Sequence, residues 1–173
     1  MRPNDFKSPP PEPRKTDVQL VQDLDAIKVY CIGYRKRMPL KEALDSAWNG
    51  IDVQTATPAL ILKEYGIPDL IPALESLQMA LGKLLDGTAT PDDRNILIQQ
   101  TSRVFRAMMH NAYNSADYWR TPANEAPNES SGPFGPTNAE KFDDHLKAGQ
   151  DWKMAAIEAE RIIEQLKRVP PHK

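Results

Sequence analysis

The sequence predicts an all-α protein with a compact body of about five helices, a Pro-rich connector and a long C-terminal amphipathic helix. Three observations carry this. Apolar residues recur at helical spacing along most of the chain. Proline and glycine punctuate that pattern in pairs that open and close helices, as in Thr90-Pro91 and Asp86-Gly87. No segment alternates convincingly at period two, and Gly66-Ile67-Pro68 is too short and too interrupted for a strand.

The elements follow in order. Asp17 caps a first helix over 17–37, with Val18, Val21, Leu24, Ile27 and Ile32 on its apolar face and Pro39 bounding its end. A second helix from Leu40 to Trp48 puts Leu40, Ala43, Leu44, Ala47 and Trp48 on one face and stops at Asn49-Gly50. Thr57-Pro58 supplies an N-cap and a first-turn proline for a third helix, which ends at Gly66. Pro68 and Pro72 open a fourth, with the stripe Ile71, Leu74, Leu77, Leu81, Leu84 and Leu85. Thr90-Pro91-Asp92-Asp93 starts the last body helix, where a cap, a proline at the first position and two acidic residues agree with the helix dipole. Its stripe is Leu97, Val104, Met108, Ala112 and Trp119, with Trp119 as an anchor in the body core.

The chain then divides into an extended Pro-rich arm (1–15), a helical body (16–120), a Pro/Asn/Gly/Ser connector (121–137) and a long helix (138–169). In the last segment Phe142, His145, Gly149, Trp152, Ala156, Ala159, Ile163 and Leu166 form a heptad seam over nearly four repeats. The small seam residues permit close approach of another helix, and Phe142 and Trp152 are large enough to anchor in pockets. A helix of this length spans about 45 Å at 1.5 Å per residue. Joined to the body by a loose connector, it is expected to pair with another chain, with folding back onto its own body as the competing arrangement.

Composition narrows the function classes. With 22 basic and 24 acidic residues the net charge is −2, so bulk attraction to nucleic acid or to an anionic membrane is not expected. The single cysteine, Cys31, excludes an internal disulfide framework and fits a reducing compartment. No apolar run approaches the length of a membrane span, and the first fifteen residues lack a signal-peptide pattern. The expected location is the cytoplasm, or a virion or other assembly.

Catalytic signatures are absent. The sequence contains no phosphate-binding glycine loop, nucleophile elbow or His-Glu-x-x-His pair. His110, His145 and His172 are widely separated. Asp143, Asp144 and His145 are consecutive on a helix and point in different directions, so no metal site is expected; Asp144 is expected to be a solvated surface charge. Cys31 reads as structural, and no cofactor is expected.

The remaining signals favour macromolecular contacts. Phe134, flanked by Gly132-Pro133 and Gly135-Pro136, is a large aromatic in a stiff polar stretch. With Phe142, Trp152, Ile163 and Leu166 it forms the predicted partner-binding set. A second reading places nucleic-acid phosphates on Arg35, Lys36 and Arg37 with Tyr34 stacking on bases. The sequence therefore points to a non-enzymatic assembly or adaptor protein binding neighbouring subunits through its arms and C-terminal helix, with a viral or phage structural component as one setting. The second reading is a nucleic-acid-binding packaging or regulatory subunit.

Overall fold

The computed structural model describes residues 15–52 and 56–169. The N-terminal arm to residue 14, and Pro170, Pro171 and His172, lie outside the described residues. The fold is mostly helical. In order it contains α1 (Asp17–Asp25), β1 (Lys28–Cys31), β2 (Lys36–Pro39), α2 (Leu40–Ser46), a 3-10 turn (Ala47–Gly50), α3 (Pro58–Tyr65), α4 (Leu70–Asp86), α5 (Pro91–Glu125) and α6 (Asn138–Lys167). No helix among the described residues is long and apolar enough to cross a membrane.

The first element departs from expectation. The helix over 17–37 ends at Asp25, and the rest forms an antiparallel hairpin that pairs Lys28 with Pro39 and Cys31 with Lys36. The stripe through Val18 and Ile32 is not the buried one: Val18 is exposed, and Leu20, Val21 and Leu24 fill the core. Lys28-Val29-Tyr30-Cys31 does alternate, with Val29 and Cys31 facing inward. Four residues are too few for a clear period-two signal. The hairpin turn carries Arg35 at φ 53°, a left-handed conformation stabilised locally by its N–H donating to the Cys31 carbonyl at 2.7 Å. Thr16, not Asp17, caps α1: its hydroxyl accepts from the Gln19 N–H while the Gln19 side chain accepts from the Thr16 N–H.

The other helices follow the punctuation more closely. Gly66 and Gly87 close α3 and α4 in the left-handed conformation. Asp69 caps α4, and Thr90 and Thr137 form capping boxes with Asp93 and Glu140. Thr57 makes no side-chain cap bond, so α3 starts on Pro58 alone. Two residues assigned to the core face water instead: Trp48 falls on the 3-10 turn, which rotates it off the α2 face, and Ile71 yields its place to Leu70.

The body boundary at Arg120 falls inside α5, which continues through Pro122 to Glu125. Pro122 sits in the last turn, where its own carbonyl still accepts from the Ala126 N–H at 2.8 Å. The connector is thereby reduced to residues 126–137, and these are tied together by hydrogen bonds. Asn138 N donates to Glu129 O at 2.8 Å, Ala139 N to Pro127 O at 3.1 Å, and Ser130 bridges to Thr137.

The long helix folds back on its own chain. Phe105 meets Trp152 with ring centroids 5.2 Å apart, Arg106 bonds Glu160, and Arg94 donates to the Leu166 carbonyl at 2.7 Å. Low numbers on α5 face high numbers on α6, so the two helices are antiparallel. The heptad seam is correct in every position except Phe142, which is only half-buried. What covers it is α5, and Trp152, Ile163 and Leu166 belong to one continuous core with Leu24, Val29, Leu40, Leu77 and Phe105. Those three predicted contact residues are thus core residues of the chain's own fold. At Gly149 a Cβ would lie 2.7 Å from the Tyr113 ring, so the absence of a side chain permits this approach.

Candidate functional site

One end of the molecule gathers most of the chemistry. The hairpin and 3-10 turn, the end of α5 and the start of α6 enclose an open cleft of about 430 Å³, lined by Ile32, Ile51, Asp52, Trp119, Lys141, Asp144 and His145 among others. Each element supplies a different kind of group. The 3-10 turn leads directly into Asp52, whose carboxylate accepts from the Trp119 indole N–H at 3.0 Å. Trp119 is half-buried on the cleft wall and lies outside the core it was expected to anchor, because its indole is turned to Asp52 and Lys141. Lys141, one turn into α6, lies with its ammonium 4.2 Å from the Trp119 ring centroid and donates to the Ser131 hydroxyl at 2.9 Å.

Asp144 is not the solvated surface charge that its sequence suggests. Its side chain is 4% exposed, and it accepts from the Tyr30 hydroxyl at 2.7 Å and pairs with Arg35 at 3.4 Å. A buried carboxylate needs such donors, because an uncompensated charge there is strongly destabilising. Burial, reinforced by the hydrogen bond to Asp144, pushes the Tyr30 phenol above its ordinary value. Asp151, two turns along α6, accepts from the Tyr30 backbone N–H at 2.8 Å, satisfying an outward amide of β1, and from Arg37 at 3.1 Å.

His145 is 6% exposed, and its Nδ1 is buried without a hydrogen-bond partner. Burial pushes the imidazole below its ordinary value, opposed by the nearby carboxylates of Asp52 and Asp144. The ring is therefore neutral at pH 7, with one unused hydrogen-bonding position. Among the described residues that line the cleft there is no Ser, Thr or Cys beside it. Cys31 is buried, with its thiol raised by burial, and it contacts the Val29 carbonyl. Among the described residues no group of three or more His, Cys, Asp or Glu side chains is placed to hold a metal ion.

The basic residues proposed for phosphates are largely committed elsewhere. Arg35 bonds Glu140 and Asp144, and the pairing raises the Arg35 guanidinium above its ordinary value while holding Glu140 below the usual carboxylate range. Arg37 pairs with Asp151, leaving Lys36 and the exposed Tyr34. The acidic residues early in α6 thus fasten the hairpin as well as complementing the helix dipole.

Beside the cleft stands the 126–137 loop, whose Pro136 lines it. Gly132 accepts from the Gly135 N–H at 3.2 Å, and the Ser130 hydroxyl donates to the Gly132 carbonyl at 2.7 Å. Pro133 takes the second position of this four-residue turn and Gly135 the fourth, which their geometries favour. Phe134, at the third, is 99% exposed. Phe142 sits near the same end, its ring 5.7 Å from the Arg120 guanidinium.

Of the predicted contact residues the structure leaves Phe134 exposed on the loop and Phe142 half-buried beside Arg120, and places Trp152, Ile163 and Leu166 in the core. Sequence reasoning missed Asp52, Lys141 and the roles of Tyr30 and Asp144, because each acts on a partner remote in sequence. No protein-family model, no curated protein and no solved structure matches the chain.

Proposed function

We propose that the protein is a non-enzymatic assembly or adaptor protein that docks a protein partner on the 126–137 loop, with Phe134 as the anchor. The observation that carries this is a phenyl ring 99% exposed on a loop closed by its own hydrogen bonds. Leaving such a ring in water forgoes about 1.5–3 kcal/mol of burial. A mobile loop would also lose ordering entropy on docking. Here the turn, its flanking prolines and the anchor of Ser131 on Lys141 have ordered it beforehand, which is what makes an aromatic an efficient hot spot. The tip from Ser131 to Pro136 carries no charge, so burying it desolvates none. In this reading α6 supports the loop rather than docking itself.

The test replaces Phe134 with photoreactive benzoylphenylalanine in cells containing the protein, with the same substitution at Met154, exposed on α6, as control. Adducts from position 134 and none from 154 are expected. If illumination yields no adduct at 134, or equal adducts at both, the loop is not a docking element.

A further inference from the structure

The occupant of the Phe134 loop can be sought in the chain itself, an inference that rests on the docking reading above. Among the described residues a cavity of about 250 Å³ lies between α3, the start of α4 and the middle of α5, with walls that include Ile51, Ile61, Ile67, Leu70 and Ile71. It is the counterpart of an exposed phenyl ring in three respects. Its size is sufficient, since an apolar cavity of about 150 Å³ already accepts benzene. Most of its lining is aliphatic, and the polar residues in it, Thr57, Asp69 and Asn111, are already hydrogen-bonded to Asn114, the Ile71 N–H and the Gly50 carbonyl, so a ring without polar atoms asks nothing further of them. Its margin is already apolar on the outside: Ile71 is 40% exposed and also lines the adjoining depression that holds the exposed Trp48.

Knob and cavity do not meet within one chain as folded. The cavity abuts Asn111, near the middle of α5, while the loop follows the end of that helix at Glu125. Ile51 lines both this cavity and the cleft beside the loop, so the two lie on neighbouring parts of the surface. Phe134 is nevertheless fully in water. We propose that Phe134 of one copy seats in the cavity bordered by Ile71 of a second copy. Each contact joins two different surfaces, the ring of one copy and the cavity of the other, so copies either exchange rings reciprocally in a closed pair or add head to tail into a ring or filament.

This arrangement makes a demand that a contact between two like surfaces does not. Phe134→Ala removes the knob and keeps the cavity. Ile71→Glu spoils the cavity mouth and keeps the knob, and a glutamate in the first turn of α4 suits the helix dipole, so folding is retained and is checked by circular dichroism. Light scattering on a sizing column over a concentration series should show the parent associating to a dimer or beyond, and each variant alone associating at least about tenfold more weakly. An equimolar mixture of the two variants should recover association but stop at twice the monomer mass, because the one intact knob and one intact cavity are then consumed.

Association of Ile71→Glu equal to the parent would overturn the cavity assignment and leave the loop reading intact. A mixture that stays monomeric when both variants are monomeric would overturn the ring-in-cavity contact. A parent that is monomeric at every concentration overturns self-docking altogether. In that case an adduct from position 134 with a different protein upholds the loop as a docking element, and no adduct removes both.

Discussion

His145 shows how a single residue can be placed correctly by pattern and still have its chemistry hidden. Its heptad position puts it on the α6 seam, and it is buried there with Nδ1 unpartnered. Because burial lowers its pKa in the folded state, the unfolded chain binds the proton more readily. Stability is therefore complete above the unfolded value of about 6.5 and declines as pH falls through and below it. The carboxylates held low by their donors, Asp93, Glu140 and Glu160, withdraw their contributions only below about pH 4.5, a separate window. Urea denaturation at pH 7.5, 6.5 and 5.5 should show a loss of stability that His145→Gln abolishes. An unchanged slope in that variant would assign the loss elsewhere. Asp144, its neighbour, was illegible for a different reason: only the fold brings Tyr30, 114 positions away, to its carboxylate.

At the scale of elements, legibility followed the locality of the cause. Helix ends written in adjacent residues, such as Thr90-Pro91, Gly66 and Gly87, appear where their chemistry requires. The β1–β2 hairpin does not announce itself, because its stability comes from Val29 and Cys31 packing into the core and from Asp151 satisfying its free amide. The α5–α6 pairing lies between these cases. Its seam is readable, but its partner is not, since small residues invite any helix. Gly149 decides that question locally. A methyl group there would sit 2.7 and 2.8 Å from two atoms of the Tyr113 ring. Replacing a mid-helix glycine by alanine gains about 1 kcal/mol of helix propensity, while overpacking costs about 1–3 kcal/mol. Gly149→Ala should therefore lower stability by about 1 kcal/mol, measured by urea denaturation. In a Tyr113→Ala background the same change should turn stabilising, because the ring that it strikes is gone. A loss of equal size in both backgrounds would mean that the helices do not meet at this point.

For the whole molecule the question is whether a body and an appended helix exist as separate units. A division at 120 implies that the body stands without α6. The packing implies the reverse, since Leu20 of α1, Val29 of β1, Leu77 of α4, Phe105 of α5 and Trp152 of α6 share one hydrophobic cluster. Removing α6 would strip Phe105 of its aromatic partner, release Tyr30 and Arg35 from Asp144, and expose the α5 face from Leu97 to Ala116. Losing one buried large side chain typically costs about 2–5 kcal/mol, against a total stability of about 5–15 kcal/mol for a whole domain. The loss of Trp152, Ile162, Ile163 and Leu166 together exceeds what the remainder can supply. The full chain should accordingly unfold in a single transition, with the near-ultraviolet signal of its buried tryptophan and the far-ultraviolet signal of its helices coinciding along the denaturant axis. A chain ended at Glu125 should show no cooperative transition and should aggregate. Two resolved transitions in the full chain, or a cooperatively folded truncated chain, would restore the division into body and helix and return the α6 seam to the set of surfaces open to a partner.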